Sequence, residues 1–243
     1  MRTTFGTIIF CLAAVSARAA GGGDAAALLA QADGFRSGFD SFVTRVRITS
    51  REGERTVEAA EFEASIKGDQ SYVRFLSPRT KGQALIMRGD DMWLLLPSVA
   101  RPVRITPIQR LLGNAANGDI ARLRYSDDYE PTVSGETTED GVPCAILELK
   151  AKRKGATYQR ILYTVRKSDG RPVRAELFLT SGKPLKTVTY GEPKEMAGRL
   201  VLSRLEIHDA THAGSFSIVE TLDLAPRALP DKLFNPARAE GQP

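Results

Sequence analysis

Apolar and polar residues alternate along much of this chain with a period of two. Phe42, Thr44, Val46 and Ile48 alternate with Val43, Arg45, Arg47 and Thr49, and Ala60, Phe62, Ala64 and Ile66 alternate with Glu61, Glu63 and Ser65. Alternation puts one apolar set on one face of an extended chain, so both segments read as half-buried strands, and the turn at Gly53 makes them antiparallel neighbours. Residues 72–76, 84–87 and 92–96 follow as short apolar runs, separated by Ser77-Pro78, Lys81-Gly82 and Gly89-Asp90-Asp91. Such runs bounded by turn residues are consecutive strands. The run 92–96 is apolar on both faces. A strand in a one-sided antiparallel sheet alternates, so this one needs two apolar environments, one of which could be a ligand cavity.

The period changes to 3.6 near the N-terminus. After Gly21-Gly22-Gly23, Asp24 is a candidate N-cap, and Leu28, Leu29, Ala32 and Phe35 lie near one helical face. The β rhythm breaks again at 106–113. Thr106 suits an N-cap, Pro107 the first helical position and Gly113 the stop, which predicts a helix of roughly two turns carrying Ile108, Leu111 and Leu112. A small polar connector, 114–118, follows. Strands are then predicted over 142–150, 158–165, 172–180, 184–190, 200–208 and 216–224, and the tail 229–236 reads as a docking segment anchored by Leu233 and Phe234. There is no βαβ rhythm and no domain linker. The pattern predicts one mainly β domain: a large antiparallel sheet, curled or closed, with an N-terminal helix and a short lid helix.

Residues 1–19 read as a secretory signal peptide: Arg2, an apolar core over 8–15 and a small-x-small site at Ala17-Arg18-Ala19. That core is shorter than the roughly 20 apolar residues of a membrane-spanning helix. The net charge of +5 is mild and interspersed, which argues against a nucleic-acid partner. One basic cluster, Lys150, Lys152, Arg153 and Lys154, sits at a hairpin turn ending in Gly155; it is either a solvated turn or a docking surface for an acidic partner or anionic lipid. Once Cys11 leaves with the leader, Cys144 has no disulfide partner and reads as a small buried apolar residue. His208 and His212 have no evident third ligand, so no metal is expected. Asp90-Asp91 and Asp127-Asp128 read as solvated turns. No GxSxG, P-loop or GxGxxG occurs. The expectation is therefore a non-enzyme without cofactors. What remains is apolar surface, which either packs a β core around itself or lines a cavity. Burial stabilises by about 0.8 kcal/mol per CH₂, so an apolar concave face can hold an acyl chain without catalytic residues. The candidate lining is Phe42, Phe62, Phe75, Leu85, Met87, Trp93 and Leu95.

The segments RFLSPRTKGQALIMRGDDMWLLLPSVARPVRI, NGDIARLRYSDDYEPTVSGE, DGVPCAILELKAK, DGRPVRAELFLTSGKPLKTVTY and LPDKLFN occur in this order over most of the expected mature chain. Together they resemble the LolA-like outer-membrane lipoprotein-sorting proteins, in the subgroup found beside RND-type exporters. The resemblance implies an unclosed β-barrel with helices as a lid. It implies a soluble, monomeric periplasmic carrier of lipoprotein acyl chains or lipid. Its partners would be an inner-membrane RND-type or ABC transporter and an outer-membrane acceptor. Similar half-barrels also serve as periplasmic lipid sensors or accessory modules of membrane complexes. In the best-known carriers an early-strand arginine couples the lid to cargo. Here Gly68 stands at that place, with Lys67 beside it as a point charge rather than a planar fork.

Overall fold

The computed structural model describes residues 22–237, so the expected signal peptide lies outside the described residues. Helix α1 (Gly22–Arg36) leads into β1 (Ser41–Glu52), β2 (Arg55–Lys67), β3 (Gln70–Phe75), β4 (Ala84–Arg88), β5 (Asp91–Leu95) and β6 (Val103–Ile105). A small hairpin, β7 (Arg110–Leu112) and β8 (Ala115–Ala116), precedes the short helices α2 (Asn117–Ala121) and α3 (Tyr125–Asp128). Then come β9 (Tyr129–Glu139), β10 (Val142–Ala151), β11 (Arg160–Arg166), β12 (Pro172–Phe178) and β13 (Pro184–Tyr190). The hairpin β14 (Pro193–Met196) and β15 (Arg199–Leu202) stands apart, and β16 (Arg204–Asp209) and β17 (Ser215–Pro226) close the series.

Thirteen strands form one antiparallel sheet in the order β6-β5-β4-β3-β2-β1-β17-β16-β13-β12-β11-β10-β9. β6 and β9 are its edges and do not pair with each other, so the curled sheet is an unclosed barrel. Register shifts between Arg45 and Val46, Ile146 and Leu147, and Thr164 and Val165 mark bulges, which add local twist and help the sheet curl. The concave face is continuous across strands: Phe42 pairs with Ile66, Ser71 with Met87, and Met87 with Met92. On the other half, Leu147 pairs with Tyr163, Tyr163 with Ala175, and Val188 with Ile207. These residues, with Leu29 and Ala32 of α1, form the main buried cluster, apart from the polar Ser71.

Two expectations need correction, and one strand was not predicted. Residues 106–113 are not a helix. Gln109 N–H donates to the Thr106 carbonyl and closes a turn, and the chain then reverses at Gly113, whose φ of +54 suits glycine, into the β7–β8 hairpin. Leu111 and Leu112 are therefore strand residues, while Ile108 is exposed. The predicted strand 200–208 is two strands in different sheets, broken at Ser203. β9, which the sequence reading passed over, forms one edge of the barrel.

Parity along β5 explains its double apolarity. Met92 and Leu94 pair with Met87 and Leu85 on the concave face, whereas Trp93 and Leu95 pair with Ile86 and Ala84 on the convex face. Ala84 and Ile86 are buried although they lie outside the main cluster. The tail provides their cover: the 3-10 turn Asp231–Phe234 packs on β3 and β4, with Phe234 fully buried and Leu229 nearly so. Leu233 is only half-buried. Lys67 ties the tail down, donating at 3.2 Å to the Leu229 carbonyl and pairing at 2.6 Å with Asp231. It does not stand in for a lid-coupling arginine.

Candidate functional site: a lidded half-barrel

The two edge strands, β6 and β9, follow one another among the strands of the large sheet, and the chain joining them, residues 106–128, folds back across the concave face. Leu112, Ala115, Ile120 and Ala121 of this segment are buried in the main cluster, and α2 packs on β2 and β3. The hairpin tip is fixed by Asn114, whose N–H donates to Ser217 Oγ at 2.8 Å and whose side-chain amide donates to Ser215 Oγ at 3.2 Å. Gly118 lies so close to Thr157 on the β10–β11 loop that a Cβ would collide with its side chain. The lid is therefore this hairpin and α2, not the predicted helix.

Polar contacts latch the lid. Asp119 accepts from the Tyr158 hydroxyl at 2.8 Å and from the Ala116 N–H at 2.8 Å, with Lys186 Nζ at 3.8 Å. Burial pushes the Tyr158 phenol well above its ordinary pKa, so it donates as a neutral hydroxyl. At the end of α2, Arg122 grips Asp128 bidentately, its Nε to Oδ2 at 2.8 Å and its Nη2 to Oδ1, while Nη1 donates at 2.8 Å to the Gly89 carbonyl in the β4–β5 turn. Both side chains of this pair are under 5% exposed. Arg153 adds a second strap: 2.6 Å from Asp90, 3.7 Å from Asp128 and 3.8 Å from Asp69. Its guanidinium holds the Asp90 carboxyl below the usual carboxylate range. Gly155 fits here because a Cβ would meet the Asp90 backbone. Arg122 and Arg153 thus connect the β3–β5 side of the barrel opening to its β9–β10 side. Asp33 of α1 accepts from the N–H groups of Tyr125 and Ser126 at 2.9 and 2.8 Å, joining α1 to α3; burial raises its pKa against those hydrogen bonds.

Under the lid is a cavity walled by Phe42, Val46, Ile120, Leu205, Val219 and Leu224, with Arg36 and Asp119 also on its wall. It holds about 50 Å³, room for one or two water molecules at about 30 Å³ each. No acyl chain fits while the lid is down. Outside the lid, a groove of about 370 Å³ runs between Ile105, Pro107 and Ile108 on one side and Lys154, Tyr158 and Phe178 on the other.

Of the candidate lining, Phe42, Phe62, Phe75, Leu85 and Met87 point to the concave side, and Phe42 borders the cavity. Trp93 and Leu95 do not, because strand parity puts them on the convex face. The basic cluster is largely committed within the molecule. Arg153 is the strap just described, Lys152 Nζ donates to the Ser126 carbonyl at 2.7 Å, and Lys150 lies 3.4 Å from Glu148. Only Lys154 of the four makes no ion pair or hydrogen bond among the described residues. Asp128 is buried and Asp90 is engaged, so the two acidic turns are not simply solvated. His208 stacks on Phe216 at 5.2 Å, Cys144 is buried, and no cluster of metal-ligating side chains occurs among the described residues. Sequence reasoning missed Arg36, Asp119, Arg122 and Asp128. For Asp119 and Arg122 the signal available was a pair of charges inside the otherwise uncharged stretch 115–123; Arg36 and Asp128 carried no such signal.

A family model described only as an uncharacterized protein matches residues 67–239. No curated protein matches the chain. Among solved structures, a LolA superfamily protein from Nitrosomonas europaea is 35% identical, with 87% of this chain and 97% of that one covered and a TM-score of 0.82. A DUF1329 family protein from Desulfovibrio piger is 22% identical over 86% of this chain and 95% of that one, TM-score 0.72. A domain from Vibrio parahaemolyticus described as outer membrane lipoprotein-sorting is 16% identical over 91% of this chain and all of that one, TM-score 0.75. The last two share the fold.

Proposed function

The chain belongs to the LolA superfamily, and from that membership we propose that it is a periplasmic carrier that shelters acyl chains of a lipid or lipoprotein inside its half-barrel on the way to the outer membrane. The observation that carries the reading is the apolar cavity beneath a latched lid. The lid segment occupies the concave face that cargo would need, and it is held there by apolar packing and a few polar latches rather than by strand pairing with the barrel. Loading replaces the apolar side chains of the lid with methylenes, each worth about 0.8 kcal/mol on burial, so exchange approaches balance and cargo can be both taken up and released. The groove beside Ile108 and Lys154 borders the lid where Tyr158 meets Asp119, and in this reading cargo enters there. An inner-membrane transporter of the RND or ABC type would be the donor, and an outer-membrane acceptor would receive the cargo. Chemistry on the cargo is not part of this role.

The test is uptake of a neutral fluorescent acyl probe by the purified protein, alongside native mass spectrometry for co-purified lipid. Leu224→Asp on the cavity wall should abolish uptake, whereas Leu95→Asp on the convex face should leave it unchanged. A wild-type protein that neither carries lipid nor takes up the probe would overturn the proposal.

A further inference from the structure

Arg36 is the last residue of α1 and borders the cavity. It makes no hydrogen bond and no ion pair among the described residues, and its Nη1 atom is buried without a partner. Its Cζ lies 3.7 Å from the centroid of the Tyr125 ring. Stacking of this kind uses the face of the guanidinium and leaves its in-plane N–H donors free. The negative end of the α1 dipole offsets some of the charge but supplies no in-plane acceptor. Asp33, the nearest carboxylate on the same helix, accepts from the Tyr125 and Ser126 N–H groups and makes no hydrogen bond with Arg36. Asp119, on the same cavity wall, is likewise taken up by Tyr158 and Ala116.

A cluster of tyrosines adjoins Arg36. Tyr163 packs edge to face on Tyr125 at 5.4 Å and on Tyr190 at 5.9 Å, its buried hydroxyl is turned to Tyr190, and Tyr190 itself borders the cavity. Burial raises the pKa of Tyr163 and of Tyr190, which keeps both phenols neutral and able to donate. Buried donors are nearly always satisfied in folded proteins. A buried guanidinium nitrogen without a partner on the wall of an apolar cavity is the arrangement an oxyanion would complete, as a bidentate partner.

The geometry points to Arg36 as a headgroup anchor: the cavity takes an acyl chain that ends in an oxyanion, a carboxylate or a phosphate, in preference to a neutral acyl group. This rests on the carrier reading and narrows its cargo to an anionic single-chain amphiphile. A carboxylate would come from a free fatty acid and a phosphate from a lysophospholipid.

The test is displacement of the neutral acyl probe from the purified chain at pH 8 by palmitate, by palmitoyl lysophosphatidate and by palmityl alcohol. Wild-type protein should bind at least one anionic chain about tenfold to a hundredfold more tightly than the alcohol, the range expected of hydrogen bonds to a charged group. The stronger of the two anions names the source. Arg36→Gln should bring the ratio of anion to alcohol affinity down to about one, and Arg36→Lys should retain part of the preference. Equal binding of alcohol and anions by the wild type overturns this inference and leaves the carrier reading standing. So does a preference that survives Arg36→Gln. A wild type that binds no chain at all defeats both. The wild-type comparison needs no variant, so it stands if Arg36→Gln fails to fold.

Discussion

Breaking the Arg122–Asp128 pair should unlatch the lid, and the two halves of the pair should not be equivalent. Both side chains are almost fully enclosed, and the pair joins the end of α2 to the end of α3, just before β9, while Arg122 also holds the Gly89 carbonyl. Removing one partner of a buried pair costs about 3–5 kcal/mol, chiefly because the other charge is stranded. In Arg122→Met, Asp128 keeps Arg153 at 3.7 Å, which places this variant near the lower end, about 3 kcal/mol. In Asp128→Ala, Arg122 is left with a carbonyl and the Met87 sulfur at 3.2 Å, which places it near the upper end, about 5 kcal/mol. The double variant strands neither charge of the pair and should cost less than the sum. Where the loss falls on lid closure rather than on global unfolding, about 3 kcal/mol raises the open population roughly a hundredfold. Urea denaturation followed by circular dichroism measures the global part, and the rate of acyl-probe uptake measures the lid. If Asp128→Ala is as stable as the wild type and takes up the probe at the same rate, the latch reasoning is wrong.

Three further outcomes follow from the same contacts. Gly118→Ala drives a Cβ into Thr157 and should cost about 1–3 kcal/mol as overpacking while speeding probe uptake; Thr157→Ala in the same chain should recover part of both, read by denaturation and stopped-flow fluorescence. Phe234→Ala should cost about 3–5 kcal/mol and uncover Ile86 on the convex face without altering uptake, whereas Lys67→Ala, which removes an exposed pair, should cost under about 1 kcal/mol. The Arg153 strap should loosen in acid. A carboxyl whose pKa is depressed in the folded state, as for Asp90, stabilises above the ordinary carboxylate range and loses that contribution as pH falls through its folded value. Asp33, raised by burial, has the opposite sign and gains as pH falls, so the α1–α3 joint holds while the strap releases. Uptake by the wild type should therefore accelerate below about pH 4, and Asp90→Asn should be fast at every pH; a parallel acceleration in Asp90→Asn would count against the strap.

What was legible in the sequence was the property that repeats. Alternation in β1 and β2 gives both the strands and their buried face, because a period of two leaves one choice of side once a single residue is placed. The run 92–96 defeats that logic. With apolar residues at every position, parity carries no information, and only the pairing of Met92 with Met87 shows that Trp93 and Leu95 face away from the interior. The second apolar environment that β5 demanded exists, yet on the convex side it is the chain's own C-terminal turn, more than a hundred residues away along the sequence. The segment 106–113 failed for a related reason. Thr106, Pro107 and Gly113 satisfy the local rules for starting and stopping a helix, but they serve a turn and a hairpin reversal equally well, and the tie is broken by Ser217 and Ser215, which take the hydrogen bonds of Asn114. Long-range partners also decide the charges. Asp90, Asp128 and Arg153 have the look of solvated turn residues until the curled sheet brings three separate turns together, and Arg36 looks like an ordinary helix-terminal arginine until the lid and the Tyr125 ring enclose it. Local pattern therefore predicts the wall of this barrel well and its lid poorly, since the wall is set by neighbours in sequence and the lid by contacts that exist only after the sheet has curled. If the molecule loads cargo by releasing those contacts, the residues that govern loading are the ones least visible in the sequence.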